Sequence, residues 1–321
     1  MRRAEGGNVY QRILVPLDGS GLAEAILSDV VELATQHRAD VVLLRVASAH
    51  ARIGSDLTEA QVHAVAEAEG YLAEEEQRLA GRGIRVSSVV RYGQPAEEIL
   101  DHARTSAIDL IAMSTHGRSG VERVLLGSVA ERVLREAPVP VLLRRAVGPG
   151  PARTGDEVQA AQVPIRPQRA APSVQAIRHI LCPVDFSRTS DAALEQAGML
   201  AQRFGADLTV LHVVYDPLDV TYLHIPHPPQ EQLREGMIRE AERELQARLR
   251  SRLRDLPRAK TAVVVGPPFR EIVRYAQERQ VDLIVMGTQG LSGLGHLIIG
   301  STAERVVRTA PCPVLSIRAA T

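Results

Sequence analysis

Along the chain, short apolar runs alternate with longer segments of helical period. Ile13–Leu17 is continuously apolar and ends at Asp18-Gly19-Ser20. The following segment, Leu22–Gln36, places Ala23, Ile26, Val30, Leu33 and Ala34 at the three-to-four spacing of one helix face, with Ser20 positioned as its N-cap. The same pattern predicts strands over Val41–Val46, Ile84–Val90, Leu110–Met113 and Val139–Leu143. It predicts helices over Thr58–Leu79, over Pro95–Arg104 with proline in the first turn, and from Gly127 to Arg135. Apolar strands without alternation are buried on both faces, so these segments imply an α/β fold with a parallel sheet covered by helices. Right-handed crossovers then leave a doubly wound sheet of about five strands, with its ligand crevice at the carboxyl ends where the strand order reverses.

The pattern occurs twice. Ile13–Asp18 (Ile-Leu-Val-Pro-Leu-Asp) returns as Ile180–Asp185 (Ile-Leu-Cys-Pro-Val-Asp), and Ala39–Val46 returns as Ala206–Val213, both 167 residues later. Tyr92-Gly93, Gly127-Ser128 and Ala137–Pro140 return 173 residues later, at Val265-Gly266, Gly300-Ser301 and Ala310–Pro313. A constant offset with one six-residue step means a duplicated domain with a single longer loop in the second copy. The expected organisation is a first domain over 1–145, a linker over 146–176 and a second domain over 177–321. The linker segment is rich in Pro, Gly, Ala, Gln and Arg and has no apolar period; Asp156 and Glu157 interrupt its arginines, so it reads as a solvated tether.

Composition narrows the chemistry. The 38 cations balance 38 anions, which leaves no bulk attraction to nucleic acid or an anionic membrane. All of those cations but Lys260 are arginine, and Lys260 follows no glycine-rich loop, which excludes a P-loop NTPase. Two cysteines, no charged-then-apolar leader and no apolar run near the length of a membrane span lead to the expectation of a soluble, cytoplasmic protein. Cys182 and Cys312 fall at the repeat positions of Val15 and Val139 and read as inert strand thiols. His224 and His227, with Asp216 and Asp219, sit in the longer loop without a helix to fix their spacing, so no metal site is expected. His116 becomes Gln289 in the second copy, which excludes a catalytic imidazole common to both. No G-x-S-x-G elbow, Cys/His arrangement, His-x-Gly-His or Ser-Gly-Gly-x-Asp-Ser signature is present, and the chain is not expected to be an enzyme.

The crevice residues point instead to phosphate binding. After the fourth strand of the second copy comes Gly287-x2-Gly290-x9-Gly300-Ser301, and the first copy has Ser114-x2-Gly117-x9-Gly127-Ser128. Glycines let backbone amides converge on an anion, and a Gly-Ser that opens a helix adds unpaired amides, the positive dipole end and a hydroxyl. Each first strand also ends in an aspartate, Asp18 or Asp185.

This joint pattern resembles the universal stress protein family, whose motif is Gly-x2-Gly-x9-Gly-(Ser/Thr) and whose last strand is similar to Ala137–Leu142 and Ala310–Leu315. The resemblance covers both copies and implies two tandem five-stranded, Rossmann-like domains that bind ATP, with or without Mg2+, at this crevice. It implies that Asp185 and the Val213 main chain meet the adenosine, that Met286 and Gly287 line the pocket, and that Gly290, Gly300, Ser301 and Thr302 take the phosphates. The counterparts in the first copy are Asp18, Val46, Met113, Ser114, Gly117, Gly127, Ser128 and Val129. Each copy departs once. Ser114 adds a side chain where the backbone is expected to approach the ligand, and Phe186 follows Asp185 where the first copy has Gly19, its ring expected to point away from the ligand. The resemblance further implies that Val139–Leu143 and Val314–Ile317 pair antiparallel within the chain as a pseudo-dimer, with a homodimer of chains as a further association. Three functions follow, in order of support: a nucleotide-binding stress protein whose occupancy alters shape or partner choice, a nucleotide-independent chaperone-like protein, and a slow ATPase.

Overall fold

The computed structural model of the chain describes residues 9–47, 57–115, 126–145, 176–215, 228–254, 256–288 and 299–318. The first repeat runs β1 (Arg12–Pro16), α1 (Gly21–Glu24), α2 (Leu27–His37), β2 (Asp40–Ala47), α3 (Leu57–Ala80), β3 (Val86–Tyr92), α4 (Pro95–Thr105), β4 (Leu110–Ser114), α5 (Ser128–Glu136) and β5 (Val141–Arg144). The second runs β6 (His179–Pro183), α6 (Arg188–Phe204), β7 (Asp207–Val214), α7 (Pro228–Arg252), β8 (Ala259–Val265), α8 (Pro268–Glu278), β9 (Leu283–Gly287), α9 (Ser301–Thr309) and β10 (Val314–Ile317). The segment 146–175 lies outside the described residues.

Each repeat forms the five-stranded parallel sheet that its apolar runs require, and the two sheets merge into one of ten strands in the order β3-β2-β1-β4-β5-β10-β9-β6-β7-β8. The junction is antiparallel, with Leu142 opposite Leu315 and flanking pairs Leu143–Val314 and Val141–Ser316. Leu142 and Leu315 are repeat equivalents, so the pseudo-two-fold passes between them. Helices cover both faces. Ile13 and Val15 of β1 enter a core layer with α2 and α3, while Leu14 between them enters the opposite layer with α4 and α5. This alternation of a strand buried on both sides explains why the Ile13–Leu17 run carries no polar position.

One predicted helix is divided. The segment expected as Leu22–Gln36 forms α1 and α2 with a break at Ala25–Ile26, whereas α6 at the same repeat position is a continuous helix of 17 residues. The difference traces to the end of the fourth strand. In the second repeat, a Cβ on Gly287 would stand 2.9 Å from the Thr189 methyl and 3.0 Å from its carbonyl carbon, so glycine lets the first turn of α6 close onto β9. In the first repeat Ser114 occupies that place, and its hydroxyl donates to the Ala23 carbonyl at 3.2 Å, the group that a continuous helix would offer to Leu27.

The candidate nucleotide cleft

The strand order reverses between β1 and β4 and between β6 and β9, and the predicted residues gather there. Asp18 and Asp185 follow β1 and β6 and organise the turn into the next helix identically. Asp185 Oδ1 accepts from the Ser187 amide at 3.1 Å and its hydroxyl at 2.6 Å, and the Ser187 hydroxyl accepts from the Ser190 amide at 3.2 Å. Asp18 does the same with Ser20, at 2.9 and 2.6 Å, and Ser20 caps Ala23 at 3.2 Å. Part of each carboxylate is therefore committed to an Asx turn and helix cap.

The other wall is a helix start. Gly127 and Gly300 are the N-caps of α5 and α9, both extended and both without a side-chain cap. Their own amides are anchored to Thr115 and Thr288 carbonyls at 2.9 and 2.8 Å, and their carbonyls accept the first intrahelical bonds, from Glu131 and Glu304. The amides of Ser128, Val129 and Ala130, and of Ser301, Thr302 and Ala303, fall in the first turn that has no intrahelical acceptor. Thr288 is buried and is tied through its amide to Ile317 of β10 at 3.0 Å, so this helix-start wall is braced by a central strand.

In the second repeat these walls enclose a cleft of about 490 Å³, within the range typical of small-molecule sites. Of the expected residues it brings together Asp185, Val213, Met286, Gly287, Gly300, Ser301 and Thr302. Val213 lies within the end of β7 rather than beyond it, as Val46 does within β2. Gly117 and Gly290 lie outside the described residues, as do His116, Asp216, Asp219, His224 and His227. In the first repeat Asp18, Val46, Met113, Ser114, Gly127, Ser128 and Val129 stand at the matching strand ends and helix start. Ser114 turns its side chain to Ala23 under α1, and a Cβ on Gly287 would face Thr189, so this position also sets how closely the following helix approaches the strand.

Sequence reasoning missed Ser190, His212, Tyr215 and Pro268, all of which line the cleft. His212 had a legible signal, a lone imidazole near the end of an otherwise buried strand run. Its Nδ1–H donates to the Val184 carbonyl at 2.8 Å. Burial pulls its pKa below the ordinary imidazole value, aided by Arg248 and opposed by the Val184 bond and Asp185. It is therefore neutral near pH 7, with Nε2 as the acceptor.

The pattern of the universal stress protein family matches residues 9–145 and again 176–318. The chain belongs to the universal stress protein family. Over 318 residues it is 25% identical to a universal stress protein of Mycolicibacterium smegmatis, covering 95% of this chain and 96% of that one. Over 146 residues it is 33% identical to universal stress protein MJ0531 of Methanocaldococcus jannaschii, covering 43% of this chain and 84% of that protein. A solved universal stress protein from Archaeoglobus fulgidus superposes with a TM-score of 0.68 over 96% of this chain and 98% of its own, at 23% identity, which shows the shared fold. Among the described residues no helix is long and apolar enough to cross a membrane.

Proposed function

We propose that this tandem universal stress protein binds ATP at the cleft of its second domain and at the matching crevice of its first, and that occupancy alters its shape or its choice of partner during stress. The observation that carries this reading is the cleft itself. It joins a carboxylate at one strand end to a helix start whose amides are uncapped, separated by the apolar Val213 and Met286. An uncapped helix start suits an anion, an apolar middle suits a base, and the strand-end carboxylate suits hydroxyl donors. Lysine is not needed, because amides, the helix dipole and the Ser301 hydroxyl supply the positive field. Mg2+ would travel with the nucleotide phosphates.

The same arrangement favours holding the nucleotide over turning it over. The phosphate end is built of amides and hydroxyls, while the carboxylate and imidazole line the ends of β6 and β7. The test is nucleotide content of the purified protein by chromatography, together with calorimetry using ATP-Mg. Bound nucleotide or saturable heat is expected, with at least tenfold weakening of one class of site in Gly300→Val. Protein that is nucleotide-free as purified and gives no heat at millimolar ATP would sink the proposal.

A further inference from the structure

Phe186 has a backbone φ of 67°, and its repeat equivalent Gly19 has 81°, so the turn after the first strand demands the left-handed region in both domains. Glycine enters that region freely. A bulky aromatic there is a steric outlier that persists only where its surroundings hold it, and such outliers gather at binding sites. Here two side chains hold the ring. It stacks against the His212 imidazole, with centroids 4.3 Å apart and planes 19° apart. Over the ring lies the Arg248 guanidinium, 4.7 Å from the centroid. Arg248 is itself fixed by Asp191 at 2.9 Å and by Glu244. The column Arg248, Phe186, His212 thus runs from α7 to the wall of the cleft.

His212 is the member that lines the cleft. With Nδ1–H committed to Val184, Nε2 has no hydrogen-bond partner among the described residues. It stands near Asp185, whose Oδ1 alone is used by the turn. Two acceptors at the end away from α9 suit a ligand that brings hydroxyl donors there, as a ribose does. The first domain lacks this device. Gly19 replaces the ring, and Arg45 replaces the imidazole; it is engaged by Glu67 at 2.9 Å, and guanidinium accepts no hydrogen bond.

We propose that His212 contacts the nucleoside in the second domain, Nε2 accepting a hydrogen bond from a sugar hydroxyl, and that Phe186 is its positioning residue, so that the two domains bind nucleotide with different affinity. This rests on the nucleotide reading above. The charged groups that act on the imidazole are Asp185 from the end of β6 and Arg248 from α7, the latter paired with Asp191 of α6 and Glu244 of α7; Tyr215 lines the same cleft. The pH dependence follows from the imidazole, whose burial favours the neutral ring. Protonation makes Nε2 a donor and removes the contact, so binding weakens as pH falls through the imidazole titration, below its ordinary value.

The experiment is ATP calorimetry on the full chain from pH 5 to 8 with wild type, Phe186→Gly, His212→Ala and His212→Gln, alongside thermal unfolding of each. Phe186→Gly and His212→Ala are expected to weaken one class of site at least fivefold at pH 7 while leaving the other unchanged, with Phe186→Gly unfolding within a few degrees of wild type. His212→Gln keeps an acceptor that does not titrate. It should retain most of the affinity at pH 7 and lose the extra weakening in acid that wild type shows; the titration of the ATP phosphates is common to both. Wild type that binds ATP while the Phe186 and His212 variants match it would overturn this inference alone. Wild type that binds no ATP overturns it together with the nucleotide reading. Should Phe186→Gly fail to fold, the His212 pair decides by itself.

Discussion

At position 287 the absence of a side chain serves a helix. Thr189 could swing its methyl away from an added Cβ at 2.9 Å, but the carbonyl carbon at 3.0 Å belongs to the first turn of α6 and cannot move without it. Gly287→Ala should therefore cost about 1–3 kcal/mol in urea unfolding, the usual range for overpacking a closed contact. The reverse exchange in the first domain is not the mirror image. Ser114 is buried and its hydroxyl satisfies the Ala23 carbonyl, so Ser114→Gly removes a partner from a buried acceptor and should destabilise by about 1–2 kcal/mol. A stabilised Ser114→Gly protein would show that the break in the helix has another cause. Each residue fits its own neighbours, and the two copies have diverged by compensating around this point.

The elements show where local pattern suffices and where it fails. The inner strands were legible because a segment buried on both faces is largely apolar, and the helix starts were legible because Pro95, Gly127 and Ser20 are end signals that act on their own backbone. The crevice was legible for the same reason: Asp18, Asp185, Gly300 and Ser301 sit at strand ends and a helix start. The break at Ala25–Ile26 was not, because the group responsible comes from Ser114, 91 residues from Ala23, and no periodicity within α1 and α2 carries it. His212 left a signal in its strand run, but the bond that orients its ring comes from the Val184 carbonyl on the neighbouring strand's end, which the local pattern does not carry. Capping makes the local rule testable. Ser187→Ala removes both the acceptor for the Ser190 amide and the donor to Asp185, and should cost about 1 kcal/mol, with faster amide exchange confined to the first turn of α6. Exchange accelerated throughout the domain, or unchanged, would contradict a role limited to the cap.

On the scale of the whole molecule, the pseudo-two-fold brings repeat equivalents together away from the sheet as well as within it. Gln36 and His37 of α2 meet Arg203 and Phe204 of α6, each pair 167 residues apart, and Arg203 Nε donates to the Gln36 carbonyl at 2.8 Å. The exchange of phenylalanine for histidine at one of the two equivalent places has a consequence. His37 is fully buried in edge-to-face contact with Tyr10 and Phe204, 5.6 and 5.7 Å between centroids, and neither ring nitrogen has a hydrogen-bond partner among the described residues. Burial, reinforced by the nearby Arg203 cation, pushes its pKa down to about 4. Folding therefore favours the neutral ring. The associated stability is fully present above the unfolded-state value near 6.5 and is lost as pH falls from there toward 4; at pH 5 the loss is about 2 kcal/mol. His37→Phe, which restores the equivalence with Phe204, removes the titration. Urea unfolding at pH 7.5 and pH 5 should show wild type losing about 2 kcal/mol more than His37→Phe, the carboxylates common to both cancelling in the difference. Equal losses in the two proteins would mean that the junction admits a proton or water at His37 and that its apolar seal does not couple the two domains to pH.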